Sequence, residues 1–84
     1  MTKQSRSIAN ESRKVTVGNR FRLTRDVDRF PDFIARADLT GTVTITKGGV
    51  WAKMDQHIPG AEEWDNHLYW ETASEFGLDT EDMQ

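Results

Sequence analysis

The segment Lys47-Gly48-Gly49-Val50 constrains this chain more than any other part of it. Two adjacent glycines accept the positive φ values that a tight hairpin turn demands and that a Cβ resists. On either side the sequence alternates apolar and polar residues, the period of a half-buried strand. With Gly48-Gly49 as a two-residue loop, Lys47 pairs with Val50, Thr46 with Trp51, Ile45 with Ala52, Thr44 with Lys53 and Val43 with Met54. That register gathers Val43, Ile45, Ala52 and Met54 on one face, and Thr42, Thr44, Thr46, Trp51, Lys53 and Asp55 on the other. A slip of one residue would mix the sets, so the pattern itself selects an antiparallel pair with an apolar inner face.

A longer alternation runs from Val15 to Val27, with Val15, Val17, Phe21, Leu23 and Val27 on one side and Thr16, Arg20, Arg22 and Thr24 on the other. His67 to Glu71 reads as a further strand, Leu68 and Trp70 inward, His67, Tyr69 and Glu71 outward. Between Asp28 and Asp38, Pro31 keeps Phe30 out of the helical region, yet Phe30, Phe33 and Ile34 are too apolar for a free loop. The segment reads as an ordered excursion whose aromatics tuck back onto the sheet, with room for a helical turn after Pro31. Gln56 to Asn66 is a second long connection, turned at Pro59-Gly60. Thr72 to Leu78 fits either a helical turn capped by Ser74 or a last short strand.

Short strands, long irregular connections and no long helix define an all-β domain. In 84 residues that means a small barrel of about five short antiparallel strands with two long ordered loops. The barrel is expected over residues 15–78, with a flexible basic tail at 1–14 and a flexible acidic tail at 79–84. Both tails are too polar to bury the apolar area that would offset their ordering entropy.

The opening Val17-Gly18-Asn19-Arg20-Phe21-Arg22-Leu23, followed by Leu39-Thr40-Gly41-Thr42-Val43, resembles the start of SH3-like barrels. Proteins with a KOW element, found among ribosomal and transcription factors, are one such group. The resemblance covers residues 17–45 and implies an SH3-like barrel architecture. It does not extend to that group's nucleic-acid binding, because Asp26, Asp28, Asp32 and Asp38 dilute the basic character.

A chain this short buries only about 60–65 % of its unfolded surface, so its core is thin. It has no cysteine, hence no disulfide or Cys-based zinc framework, which fits a reducing compartment. No apolar run approaches the roughly 20 residues that span a bilayer, and Met1 to Lys14 lacks a signal-like apolar stretch. The expectation is a cytoplasmic protein that does not engage a membrane. The net charge of −3 hides a split. Residues 1–25 hold seven Lys or Arg against one acid; residues 54–84 hold nine acids and no Lys or Arg. Such halves can dock on one another or steer a partner.

No constellation in the chain carries catalytic or cofactor chemistry. Gly48-Gly49 is turn chemistry, with no following helix to present to a phosphate. His57, Glu62, Glu63, Asp65 and His67 lie close in sequence but lack a metal-ligand spacing, so no metal is expected. There is no cysteine nucleophile and no serine in a nucleophile-elbow context. What stands out is aromatic. Trp51 and Tyr69 point outward on the strand registers, flanked by Lys53 and the acidic Glu62, Glu63 and Asp65. These six residues are the candidate surface of a non-enzymatic module or regulator that binds a protein partner. The bland reading is that a loop, the Phe30–Ile34 excursion or Trp64, covers Trp51 and Tyr69 to finish the core. A rival class is nucleic-acid binding through Arg13, Lys14, Arg20, Arg22 and Arg25 with the basic tail. A third is an oligomeric enzyme with a site between barrels.

Overall fold

In the computed structural model, residues 14–83 are described; Arg13 and the expected basic tail, apart from Lys14, lie outside them. The described elements are β1 (Arg20–Leu23), β2 (Val27–Arg29), β3 (Phe33–Ala35), β4 (Thr40–Ile45), β5 (Val50–Met54), β6 (His67–Trp70), α1 (Ala73–Asp79) and β7 (Thr80–Asp82). Five strands form one antiparallel sheet in the order β6-β5-β4-β1-β7, and β2 and β3 form a separate hairpin. None of the described helices is long and apolar enough to cross a membrane.

The sheet does not close into the expected barrel, since β6 and β7 are its two edges and no ladder joins them. The helix between them occupies the place where closure would occur. Phe76, buried on α1, stands edge-on to Trp70 of β6 at 5.0 Å and to Phe21 of β1 at 5.1 Å. Phe21 and Trp70 complete the T-shaped trio at 6.1 Å, the geometry that ring quadrupoles favour. The Trp70 indole N–H, which would otherwise be an unpaired donor in the core, donates to Asp79 Oδ2 at 2.7 Å. Around the trio lie Leu23, Val27, Ala35, Val43, Val50, Ala52, Met54, Ile58, Ala61 and Leu68, all buried.

The β4–β5 hairpin keeps the expected parity but not the expected register. Val43 pairs with Ala52, Thr42 with Lys53 and Gly41 with Met54, two residues away from the two-residue-loop alignment. An irregularity between Val43 and Ile45 then adds one residue to β4, so Ile45 faces Trp51 instead of Ala52. Ile45 is therefore 46 % exposed on the outer face, while Val43, Ala52 and Met54 remain buried as the alternation required.

The long strand read from Val15 to Val27 is broken. Only Arg20–Leu23 pairs in the large sheet; Val17 is exposed beside a turn in which the Asn19 N–H donates to the Thr16 carbonyl at 3.1 Å. The excursion after it is a hairpin and not a helical turn. Val27 pairs with Ala35 and Arg29 with Phe33 around a Phe30–Pro31 tip whose peptide bond is cis. Phe33 packs against the core, but Phe30 is 79 % exposed, contrary to the expectation that it tucks back.

The segment after β6 resolves as helix, capped by Thr72 and not by Ser74. Thr72 Oγ1 accepts from the Glu75 N–H at 3.1 Å, and the Glu75 carboxylate accepts in turn from the Glu71 N–H at 3.3 Å. The acidic segment expected as a tail from Asp79 is likewise built in. Thr80–Asp82 runs antiparallel to β1, pairing Thr80 with Leu23 and Asp82 with Phe21. Thr80 is buried, its hydroxyl donating to the Phe76 carbonyl at 2.7 Å.

Candidate binding cleft

The outer face of β5 and β6 carries an aromatic row. Cross-strand pairing sets Trp51 opposite Tyr69 and Lys53 opposite His67. The Trp51 and Tyr69 rings lie 4.7 Å apart at a 42° tilt, and His67 meets Trp51 edge-on at 6.5 Å. Tyr69 and His67 are fixed by hydrogen bonds, and the Trp51 ring contacts both. The Tyr69 hydroxyl donates to the Gly48 carbonyl at 3.1 Å, tying β6 to the glycine turn. His67 Nδ1 donates to the Asp65 carbonyl at 2.9 Å, and its Nε2 meets Thr44 Oγ1 at 3.0 Å. Trp51 and Tyr69 are consequently half-buried and held in place.

The β2–β3 hairpin stands against this face. Arg29 Nη2 donates to the Tyr69 carbonyl at 2.7 Å, and its guanidinium carbon lies 6.0 Å from the Trp70 ring centroid. The bond uses an outward carbonyl of the edge strand β6 and clamps the hairpin there. On the other side the hairpin rests on the 55–66 connection at Gly60. A Cβ at Gly60, where φ is +99°, would lie 2.1 Å from the Asp32 carbonyl oxygen, so only glycine allows this approach. Next to it a 3-10 turn, Glu62–Trp64, presents Trp64 edge-on to Phe33 at 6.1 Å.

The result is an open cleft of about 440 Å³. Trp51, His67 and Tyr69 line it from the sheet, Arg29, Asp32 and Phe33 from the hairpin, Trp64 from the 3-10 turn, and Trp70, Glu71 and Glu75 from the end of β6 and α1. Its size is within the range of about 300–1,000 Å³ for small-ligand pockets. Its chemistry is aromatic, with carboxylates at the hairpin and helix ends.

Of the six residues singled out from sequence, Trp51 and Tyr69 come together in this cleft. Lys53 and Asp65 pair with each other at 3.5 Å and do not line it. Glu62 turns to His57, Oε2 to Nε2, at 2.8 Å, and takes the Gly60 N–H on its other oxygen. Its carboxyl is held below the usual range by its own backbone N–H, by His57 and by the Gly60 N–H. Glu63 is exposed on the 3-10 turn. The acidic side chains of the loop therefore do not line the cleft, although its Trp64 does; the carboxylates that line it are Asp32, Glu71 and Glu75. The Phe30–Ile34 excursion and Trp64, read from sequence as a cover for Trp51 and Tyr69, do reach them, through Asp32, Phe33 and Trp64. Arg29, Glu71 and Glu75 had no signal in the sequence, because only the folding-over of the hairpin and the helix brings them to the aromatic face.

The described arginines of the rival nucleic-acid reading, Arg20, Arg22 and Arg25, are occupied. Arg20 forms a two-pronged pair with Asp55 at 2.8 and 3.0 Å, and also donates to Thr42. Arg22 meets Asp38 at 2.5 Å and Glu81, and Arg25 meets Asp79 at 2.6 Å. The Arg20 hydrogen bond, helped by the Thr40 hydroxyl, holds the Asp55 carboxyl below the ordinary aspartate value. Lys14 is exposed. Among the described residues no group of three His, Asp or Glu side chains is placed to hold a metal ion. Comparison with known protein families, curated proteins and solved structures finds no match to this chain in any of the three.

Proposed function

We propose that this protein is a small, non-enzymatic binding module that takes a segment of a partner protein into the cleft between the β2–β3 hairpin and the β5–β6 face. One observation carries the reading: the tilted Trp51–Tyr69 pair, its tyrosine tied to the glycine turn, is half-buried and lines a cleft that Trp64 and Phe33 complete. Large aromatics that are anchored from behind and open in front contribute much of the affinity at protein interfaces. The sheet order supports an SH3-like roll as the underlying architecture. β4, β5 and β6 form a meander, and β1 lies between that meander and the last strand.

A protein partner is favoured over nucleic acid because Arg20, Arg22 and Arg25 already meet carboxylates. Phosphate binding through them would first have to break those pairs. The test is selection of a displayed random dodecapeptide library on the immobilised full chain. The expected result is a set of enriched peptides whose binding is lost in Trp51→Ala and Trp64→Ala, each variant keeping its circular dichroism spectrum. Truncating an anchor of this kind costs about 2 kcal/mol, roughly thirtyfold in affinity. No enrichment, or enrichment indifferent to both substitutions, refutes the proposal.

A further inference from the structure

We infer that the group this cleft takes is a cationic side chain of the partner segment, a lysine or arginine with or without methyl groups. The inference rests on the binding reading above and narrows it by charge.

Outside the cleft most acids are matched by bases, with Asp28 and Glu63 exposed and without an ion pair among the described residues. Asp26, Asp38, Asp55, Asp65, Asp79 and Glu81 each meet an Arg or Lys within 3.5 Å. The cleft breaks this pattern. Asp32, Glu71 and Glu75 line it, and among the described residues none of the three forms an ion pair. Of the two basic side chains lining it, Arg29 is turned to the Tyr69 carbonyl and the Trp70 ring, and His67 is held between the Asp65 carbonyl and Thr44 Oγ1. The Glu75 carboxylate is held at the helix end by the Glu71 N–H, so its charge stays at the cleft. A π face is the negative region of an aromatic ring, so Trp51 and Tyr69 add to the carboxylate field and do not oppose it. A cation entering here gains from rings and carboxylates together. A carboxylate or phosphate meets repulsion from both.

The test follows the indole N–H resonances of the full chain by two-dimensional NMR. The probes are blocked pentapeptides of one Gly/Ser sequence with lysine, trimethyl-lysine, arginine, norleucine or glutamate at the centre, and a single-stranded oligonucleotide. The expected result is that the cationic peptides shift the Trp51 and Trp64 signals while Trp70, bonded to Asp79, stays still. They bind at least about fivefold tighter than the norleucine peptide at low salt, in keeping with a cation–π contact in a negative site. The preference among the three cations identifies which source fits. In Glu71→Gln/Glu75→Gln, whose dispersed spectrum reports an intact fold, the gap between lysine and norleucine shrinks.

Equal binding of norleucine and lysine overturns the inference and leaves the peptide-binding reading standing. So does a library selection that enriches acidic or neutral peptides. The oligonucleotide shifting the same indoles overturns it in favour of a nucleobase. No shift with any probe overturns it, and with an empty library selection the binding reading falls as well.

Discussion

Gly49 links the hairpin turn to the aromatic face. Its φ is +116°, and a Cβ placed on it would lie 2.4 Å from Tyr69 Cε1 and 2.8 Å from the Trp70 carbonyl oxygen. Its neighbour Gly48 also has positive φ, +73°, but a Cβ there meets nothing within 4 Å. The two substitutions therefore separate backbone strain from collision. Gly48→Ala is expected to cost about 1 kcal/mol, the penalty of the left-handed region alone. Gly49→Ala is expected to cost about 2–3 kcal/mol and to displace the Tyr69 ring, because the carbonyl beside it cannot yield. Urea midpoints of the two variants measure the difference; equal values would mean that Tyr69 is not packed on the turn. The tryptophans divide in the same way. Trp70→Ala removes the centre of the core trio and one of two donors to the Asp79 carboxylate, so a loss of about 3–5 kcal/mol is expected. Trp51→Ala removes a half-open ring, and a loss of about 1–2 kcal/mol is expected. If the two losses prove equal in denaturant unfolding, Trp51 is a core residue and cannot be an anchor for a partner.

At the scale of elements, the cleft depends on a three-residue hairpin pair held by a few contacts. Arg29 supplies the clamp, and Gly60 the seat. Arg29→Ala leaves the Tyr69 carbonyl without its donor and the hairpin without its tie to β6. It is expected to cost about 1.5–3 kcal/mol, the range for a hydrogen bond to a charged group. Faster amide exchange should appear in Val27–Ala35 while β4 and β5 stay protected. Uniform acceleration across the whole sheet would instead make Arg29 a global stabiliser. The elements also differ in how legible they were from the chain. Phe21, Leu23, Leu68 and Trp70 obey a strict two-residue period, and that period alone put them inside. The same period misplaced Ile45, because an irregularity adds a residue to β4 and shifts the phase of everything beyond it. It also missed β2 and β3, strands of three residues around a proline tip, too short to establish a period. The partly legible site follows from the same physics. Parity turned Trp51 and Tyr69 outward together, but Phe33, Trp64 and Asp32 reach them only through contacts distant in sequence, which periodicity does not encode.

At the scale of the molecule, the charge split along the chain is met in part within the described residues. Arg20, Arg22 and Arg25, from the basic first part, meet Asp55, Glu81 and Asp79, from the acidic last part. These pairs tie β1 and the turn after it to β5, β7 and the end of α1, so sequence-distant segments are joined by charge as well as by the sheet. Apart from Asp79 these side chains are exposed and their pairs screened by solvent, but Asp55 gives the fold a sensitivity to acid. Asp55 sets the sign. Its folded pKa lies below the ordinary value of 3.8, chiefly through the Arg20 hydrogen bond. The stability that it contributes is therefore complete above the unfolded pKa and is lost as pH falls from about 4 through the folded value. Asp26, held low by the Ala37 N–H and then by Arg36, acts in the same direction. Asp55→Asn keeps a hydrogen-bond acceptor for Arg20 but removes the titrating charge. The expected outcome is a variant less stable than the parent at pH 7 whose stability changes less below pH 4, so that the two curves converge in acid. Urea unfolding at a series of pH values down to about 2.5 makes the comparison. Curves that stay parallel to the lowest pH would show that Asp55 holds Arg20 by geometry alone. The acid sensitivity would then rest on Asp26 and Glu62.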